Sequence, residues 1–220
     1  MRTKTDRLTV FLVTLSILTL FVLPLRALLP TAEDAAIYDS ILRLHVLANS
    51  DSAEDQALKL AVRDGILATV AGLVEGIHDF DEVCAAVDTG IPAIEAAARE
   101  VLAREGSDYD VRVTLTKEHY PTRTYENVTL PSGTYTSLRV LIGEAEGANW
   151  WCVLFPQLCV NMASETTFDR PAVIDETDEM GALIEAGLTP SQIELITGSE
   201  PRVIIRFRLL EWLDELLSRG

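Results

Sequence analysis

Apolar residues change their spacing several times along this chain, and each change marks an element. Leu8 to Leu25 carries no charge and is interrupted only by Thr9, Thr14, Ser16, Thr19 and Pro24, behind a leader with Arg2, Lys4 and Arg7. After a polar approach from Glu33 to Asp39, Leu42, Leu44 and Val46 alternate with Arg43 and His45. That is the period of a half-buried strand, with Arg43 and His45 on its open face. Ala48 to Ser52 is a turn and helix start, and Ser52 with Asp55 has the spacing of a capping box. From Ala53 to Val74 the period lengthens to that of a helix, with Leu58, Val62, Ile66, Val70 and Leu73 in one stripe. A second helical stretch opens at Asp81, Gly90-Ile91-Pro92 breaks it, and Pro92 starts a third helix that runs to Glu105.

Strand signals then take over. Val111, Val113 and Leu115 alternate with polar residues between Asp110 and Glu118. Thr122 to Thr129 is rich in Thr, Tyr and Val, which suits a strand. Leu130-Pro131-Ser132-Gly133 is a turn, and Thr134 to Ile142 is a further strand. The stretch Trp150 to Val160 is apolar at almost every position but has no clean period. Beyond it, Met180 to Ala186 reads as a short helix and Thr189-Pro190-Ser191 as a helical turn. Pro201 to Arg208 reads as a strand with Val203, Ile205 and Phe207 on one side, followed by an amphipathic helix from Leu209 to Ser218. Strand, helices, a run of strands, helix, strand, helix predicts an α+β fold: a single domain with a mainly antiparallel sheet packed with helices, preceded by an N-terminal hydrophobic signal or anchor helix.

The leader changes what the rest can be. A basic flank before an uncharged apolar run is the layout of a secretory signal or an anchor with its basic end in the cytoplasm. Residues 1–32 are therefore expected to be a signal peptide or an uncleaved membrane anchor, and 33–220 an exported domain. Pro30-Thr31-Ala32 is a weak cleavage box, and spacing leaves both fates open. The chain has 18 Lys and Arg against 34 Asp and Glu; without the leader the body has 14 against 33, a net charge of −19. So acidic a body does not bind nucleic acid through bulk electrostatics.

Candidate chemistry is sparse. His45, His78 and His119 are the only histidines, and none lies in a close-spaced zinc pattern. No nucleophile elbow or phosphate loop is present, and no cofactor or metal is expected. A Ser50–His45–acid triad is conceivable, but Ser50 belongs to a helix start. Asp108 and Asp110 around Tyr109 suit a solvated turn better than a calcium loop. Export permits a disulfide, and Cys152 and Cys159 lie six residues apart around Pro156. A bridge there is favoured, contributing ~2–3 kcal/mol through loop closure, over two reduced buried thiols. Cys84 is expected in the core. Trp150 and Trp151 point to opposite faces of an extended backbone, which leaves one free as a partner contact.

Several blocks together resemble the stage II sporulation protein R family. They are Arg43-Leu44-His45-Val46-Leu47-Ala48-Asn49-Ser50-Asp51 with Asp55-Gln56, Lys59 and Val62-Arg63-Asp64; Tyr120-Pro121-Thr122-Arg123; Leu130-Pro131-Ser132-Gly133-Thr134-Tyr135; and Gly143 to Cys159 with its Asn-Trp-Trp-Cys-Val-Leu-Phe-Pro run. The family-like core spans about 41–160, and 168–220 is a looser C-terminal extension. The resemblance implies a signal rather than an enzyme. Such proteins are made in the forespore and exported across its inner membrane into the space facing the mother cell. There they trigger a membrane-embedded aspartic protease that removes the pro-sequence of sigma factor E. The resemblance supplies no catalytic residues. The other readings of an exported acidic body are an envelope hydrolase and a structural envelope protein.

Overall fold

The computed structural model describes residues 9, 11–16, 19, 29–125, 127–156, 176–198 and 201–218. Most of the apolar leader lies outside them, as do Cys159 and the rest of 157–175. The described leader residues are helical, and among the described residues no helix is long and apolar enough to cross a membrane.

The body begins with a short helix α1 (Ala32–Ala35) and a 3-10 turn (Ala36–Asp39), which lead into strand β1 (Leu42–Leu47). Helix α2 (Ala53–Leu73) starts where the Ser52 hydroxyl accepts from the Asp55 N–H. The reciprocal half of the expected capping box is missing, because the Asp55 carboxylate turns instead to Asn49 and Ser50. Helix α3 (Phe80–Arg104) is capped by Asp79, which accepts from the N–H groups of Asp81 and Glu82. It runs unbroken through Pro92, so the two helices expected there are one. Asp88 and Pro92 both face solvent, where water can satisfy the carbonyl that the proline leaves without a donor. Gly65 and Gly90 belong to a close approach between α2 and α3. A methyl at Gly65 would lie 2.8 Å from Val101 Cγ2, and one at Gly90 2.4 Å from Leu73 Cδ1.

Strands β2 (Val111–Tyr120), β5 (Gly133–Ile142) and β6 (Asn149–Phe155) join β1 in one sheet, in the order β2-β5-β1-β6. The outer pairs are antiparallel, but the central pair β1–β5 is parallel. Two of the three pairings are thus antiparallel, as expected, and the parallel central pair makes the sheet mixed. The expected Thr122–Thr129 strand is a hairpin of two short strands, β3 (Arg123–Tyr125) and β4 (Val128–Leu130). The apolar stretch at Trp150 is strand β6, with a register shift opposite Leu42 and Arg43. Three helices close the chain: α4 (Glu176–Glu185), α5 (Pro190–Thr197) and α6 (Pro201–Ser218). Thr189 and Gln192 cap α5 reciprocally. The strand expected at Pro201–Arg208 is the first half of α6. Helical spacing turns Val203, Phe207 and Leu210 inward and leaves Ile205 outside, whereas a strand would have aligned Ile205 with the other two.

The sheet has a core on each face. Leu42, Leu44 and Val46 of β1, Leu138 and Val140 of β5 and Leu154 of β6 pack with Val62, Ile66, Val70, Val87, Ile94 and Leu102 of α2 and α3. The other face is covered by Ile37 and Tyr38, by the β3–β4 hairpin and by Leu183, Leu195, Ile196, Phe207 and Leu210 of the last three helices. Consequently β1 is buried along its whole length, and the half-open strand expected from its alternation is not what forms. Its Arg43 and His45 face a second core instead of water.

Pro92→Ala restores a helix-forming residue and an N–H donor without removing a buried contact. The expected outcome is a gain of about 1–3 kcal/mol in urea unfolding. A loss would show that the ring supports the helix.

Candidate functional site

The side of the sheet that carries Arg43 and His45 gathers polar and aromatic residues from distant parts of the chain. Arg43 is fully buried. Its guanidinium carbon lies 4.3, 5.1 and 5.5 Å from the ring centroids of Tyr120, Tyr135 and Tyr125. Its Nε donates to the Cys152 carbonyl at 3.3 Å, and Nη2 donates to the Tyr125 hydroxyl at 2.7 Å. Three ring faces and two oxygens replace much of the hydration that burial removes. Tyr120 bonds the Ser137 hydroxyl at 2.6 Å, and Tyr135 donates to the Pro131 carbonyl at 2.6 Å, so the cage walls are themselves fixed. Burial pushes all three tyrosine hydroxyls above their ordinary range, so the cage stays neutral around its cation.

His45 sits one step nearer the surface. Its Nδ1 meets Glu118 Oε1 at 2.8 Å, and its Nε2 faces the Asn149 side chain at 2.8 Å. Glu118 also lies 3.6 Å from Arg139 Nε. The Trp151 ring packs against His45 and Tyr120, and the Arg123 guanidinium stacks over Trp151 at 4.1 Å. Trp150 points to the opposite face, where it joins the helix-side core and carries Arg63 over its ring at 4.4 Å. Both tryptophans are half-buried. Opposed orientations are what extended backbone requires. Cys152 is buried in the helix-side core that Trp150 joins, and Cys159 lies outside the described residues.

A second polar cluster locks the loop before β6 onto the start of α2. Asn49 donates to Asp55 at 2.9 Å and accepts from the Glu144 N–H at 3.0 Å. Ser50 donates to Asp55 at 2.5 Å, Asp51 accepts from the Ala148 N–H at 2.6 Å, and the buried Lys59 ammonium reaches the Ala148 carbonyl at 2.9 Å. Gly143 has φ +56°, and a Cβ there would collide with the Asn49 side chain. Hydrogen bonds from Ser50 and then Asn49 hold the Asp55 carboxyl below the usual aspartate range.

The residues weighed for catalysis go to different partners. Ser50 donates to Asp55, whereas His45 bonds Glu118 and Asn149. His119 lies beside Asp214 at 4.0 Å, away from both. One surface hollow is lined by Glu54, Asp55, Glu105 and Asp108 with Tyr109; another is lined by Glu75, His78, Phe155 and Glu185. Neither includes His45 or His119. Among the described residues no group of His, Cys, Asp and Glu is arranged to hold a metal ion. Cys84 is half-buried against the helix-side core, as expected, and burial pushes its thiol up to about 11. Sequence reasoning missed Glu118 and Asn149 as partners of His45, and Arg139 as the partner of Glu118. The signal it lacked was the cover over the second face of β1.

A depressed carboxyl stabilises the folded state above the unfolded pKa and ceases to do so as pH falls through the folded value. Asp55→Asn should therefore lower stability at neutral pH. The gap from wild type should close as pH drops below about 4, the ordinary aspartate range. Urea midpoints measured across pH check this; a gap that widens in acid would contradict it.

Comparison with known proteins gives a consistent result. The stage II sporulation protein R family model matches residues 38–165. The stage II sporulation protein R of Bacillus subtilis (strain 168) is 32% identical over 191 residues, covering 84% of this chain and 85% of that protein. No solved structure matches significantly.

Proposed function

This chain belongs to the stage II sporulation protein R family, and on that premise we propose that it is an exported signal that triggers a membrane-embedded aspartic protease of the mother cell to process pro-sigma-E. Membership itself gives a role in sporulation, as a signalling protein rather than an enzyme. The finer reading rests on one structural observation. The blocks that mark the family converge on one part of the sheet: Arg43 and His45 from the first, Tyr120 and Arg123 from the second, Tyr135 from the third, Asn149 and Trp151 from the fourth. Their interactions fix shape and stack aromatic rings; they do not align a nucleophile with a base. A protein that works by presenting a surface needs that kind of rigidity.

In this reading the body is exported from the forespore into the intermembrane space, freely or tethered by residues 1–32. Cys152 and Cys159 close a disulfide at the end of β6. The half-exposed edge of Trp150 or of Trp151, each backed by an arginine, meets the protease. Mass spectrometry of the denatured exported protein should give one N-terminus, one alkyl label without reduction and three labels after it. Three labels without reduction would remove the bridge.

Deleting the gene should leave pro-sigma-E uncleaved, and normal processing in the deletion strain would sink the proposal. Complementation with Trp150→Ala or Trp151→Ala then separates contact from support. Lost processing with an unchanged melting temperature assigns the ring to the partner surface. A fall in stability of ~2–4 kcal/mol assigns it to packing.

A further inference from the structure

Helix α6 is apolar on both of its sides. Val203, Phe207 and Leu210 are buried in the second core. On the opposite side Trp212 is 55% exposed and Leu216 49%, with Ile205 also exposed, while Ile204 and Leu213 are exposed on the two flanks. Ile205, Trp212 and Leu216 follow one another at spacings of seven and four, so they form a continuous stripe. A stripe of this size on an otherwise acidic body marks an interaction surface.

The orientation of the stripe is fixed from beneath. Glu211 accepts from the Thr122 hydroxyl and from the Ser132 N–H at 2.8 Å. Arg206 pairs with the fully buried Asp34 of α1, and Ser191 bridges the same two side chains. The second tie matters most. Asp34 lies only nine residues after Leu25, where the apolar leader run ends, a reach of at most about 30 Å. The first turns of α6 are therefore held next to the point where the leader enters the body. The whole helix of 18 residues is about 27 Å long. The described leader side chains are not covered by the body either: Phe11 is 61% exposed, and Leu12, Val13 and Leu15 are exposed with it. One chain thus presents two apolar helical surfaces, tied together by a short connector and one buried ion pair.

We propose that the exposed stripe of α6, Ile205, Trp212 and Leu216, rests on the surface of the lipid bilayer in which the leader is anchored. The inference rests on the tethered form of the function proposed above. Burial of apolar side chains at the interface drives it, with Trp212 at headgroup depth, where indole rings concentrate. The net charge of −19 on the body means that attraction to anionic headgroups does not. The contact holds the sheet and its two tryptophans at a set orientation to the membrane.

The test uses the full chain reconstituted with zwitterionic phosphatidylcholine vesicles whose acyl chains carry bromine, which quenches nearby indoles. Emission of Trp212 is read as the difference between wild type and Trp212→Phe, so that Trp150 and Trp151 cancel. The expected result is that the protein floats with the vesicles and that bromolipid quenches the Trp212 share, with Ile205→Gln and Leu216→Gln weakening the quenching. Flotation with no quenching of that share overturns the bilayer contact and leaves the tether intact. A concentration-dependent dimer that shields Trp212 from bromolipid also overturns it, in favour of a second copy as the cover. Failure to float overturns both tether and contact, while processing of pro-sigma-E in the complemented deletion strain judges the signalling role separately.

Discussion

Burial of β1 on both faces is the constraint on which the rest of this structure depends. A strand of six residues that carries an arginine and a histidine is placed in the middle of the sheet, with no face left for water. An ionised side chain in such a place is costly unless every part of it finds a partner. Arg43 meets most of that demand with three tyrosine rings, a hydroxyl and a carbonyl, its buried Nη1 alone lacking a hydrogen bond, and His45 meets it with a carboxylate and an amide. Those partners come from β2, β3, β5 and β6, so the strands cannot shift register without stranding a buried charge. The same demand explains why the last three helices are needed. Without them, the Arg43 face would be open and the cage would have no outer wall.

The family signature is legible in these terms. Residues that identify the chain are those that join elements far apart in sequence: Asn49 and Asp51 to the loop at Gly143–Ala148, Arg43 to Tyr120 and Tyr135, His45 to Asn149. Such positions resist substitution for structural reasons alone. A specific sequence block in a protein without chemistry of its own therefore need not be the contact surface. Here the blocks build the frame of the sheet and its two cores.

Much of the fold could be read from the chain. The period of Leu42, Leu44 and Val46 gave β1, the stripe through Val62, Ile66 and Val70 gave α2, and the Pro131-Ser132-Gly133 turn placed the start of β5. What failed did so for identifiable reasons. Alternation showed that Arg43 and His45 share a face but not what covers it, because the cover comes from residues more than 70 positions later. Pro201–Arg208 is apolar at both the helix and the strand period, so only packing could decide, and Ile205 ended outside. Gly90 and Pro92 look like a break, but one lies at a helix–helix contact and the other in solvent, where neither stops α3. The parallel pairing of β1 with β5 is invisible locally, since alternation is the same for either direction. Of the site residues, the opposite orientation of Trp150 and Trp151 was readable from backbone geometry. Their arginine partners were not, because Arg63 and Arg123 come from other elements.

The two tryptophans tie the edge of the sheet to both cores at once. Trp150 belongs to the core under α2 and α3, and Trp151 to the one under the hairpin and the last helices. Any displacement of β6 relative to β1 disturbs both layers together, because the strand has no side chain pair that moves alone. Each ring is also half-covered by a guanidinium on a surface that is otherwise acidic. Arg63 of α2 and Arg123 of β3 are thereby brought to β6 on opposite faces of the sheet, so each ring links the edge strand to a neighbouring element as well as to a core.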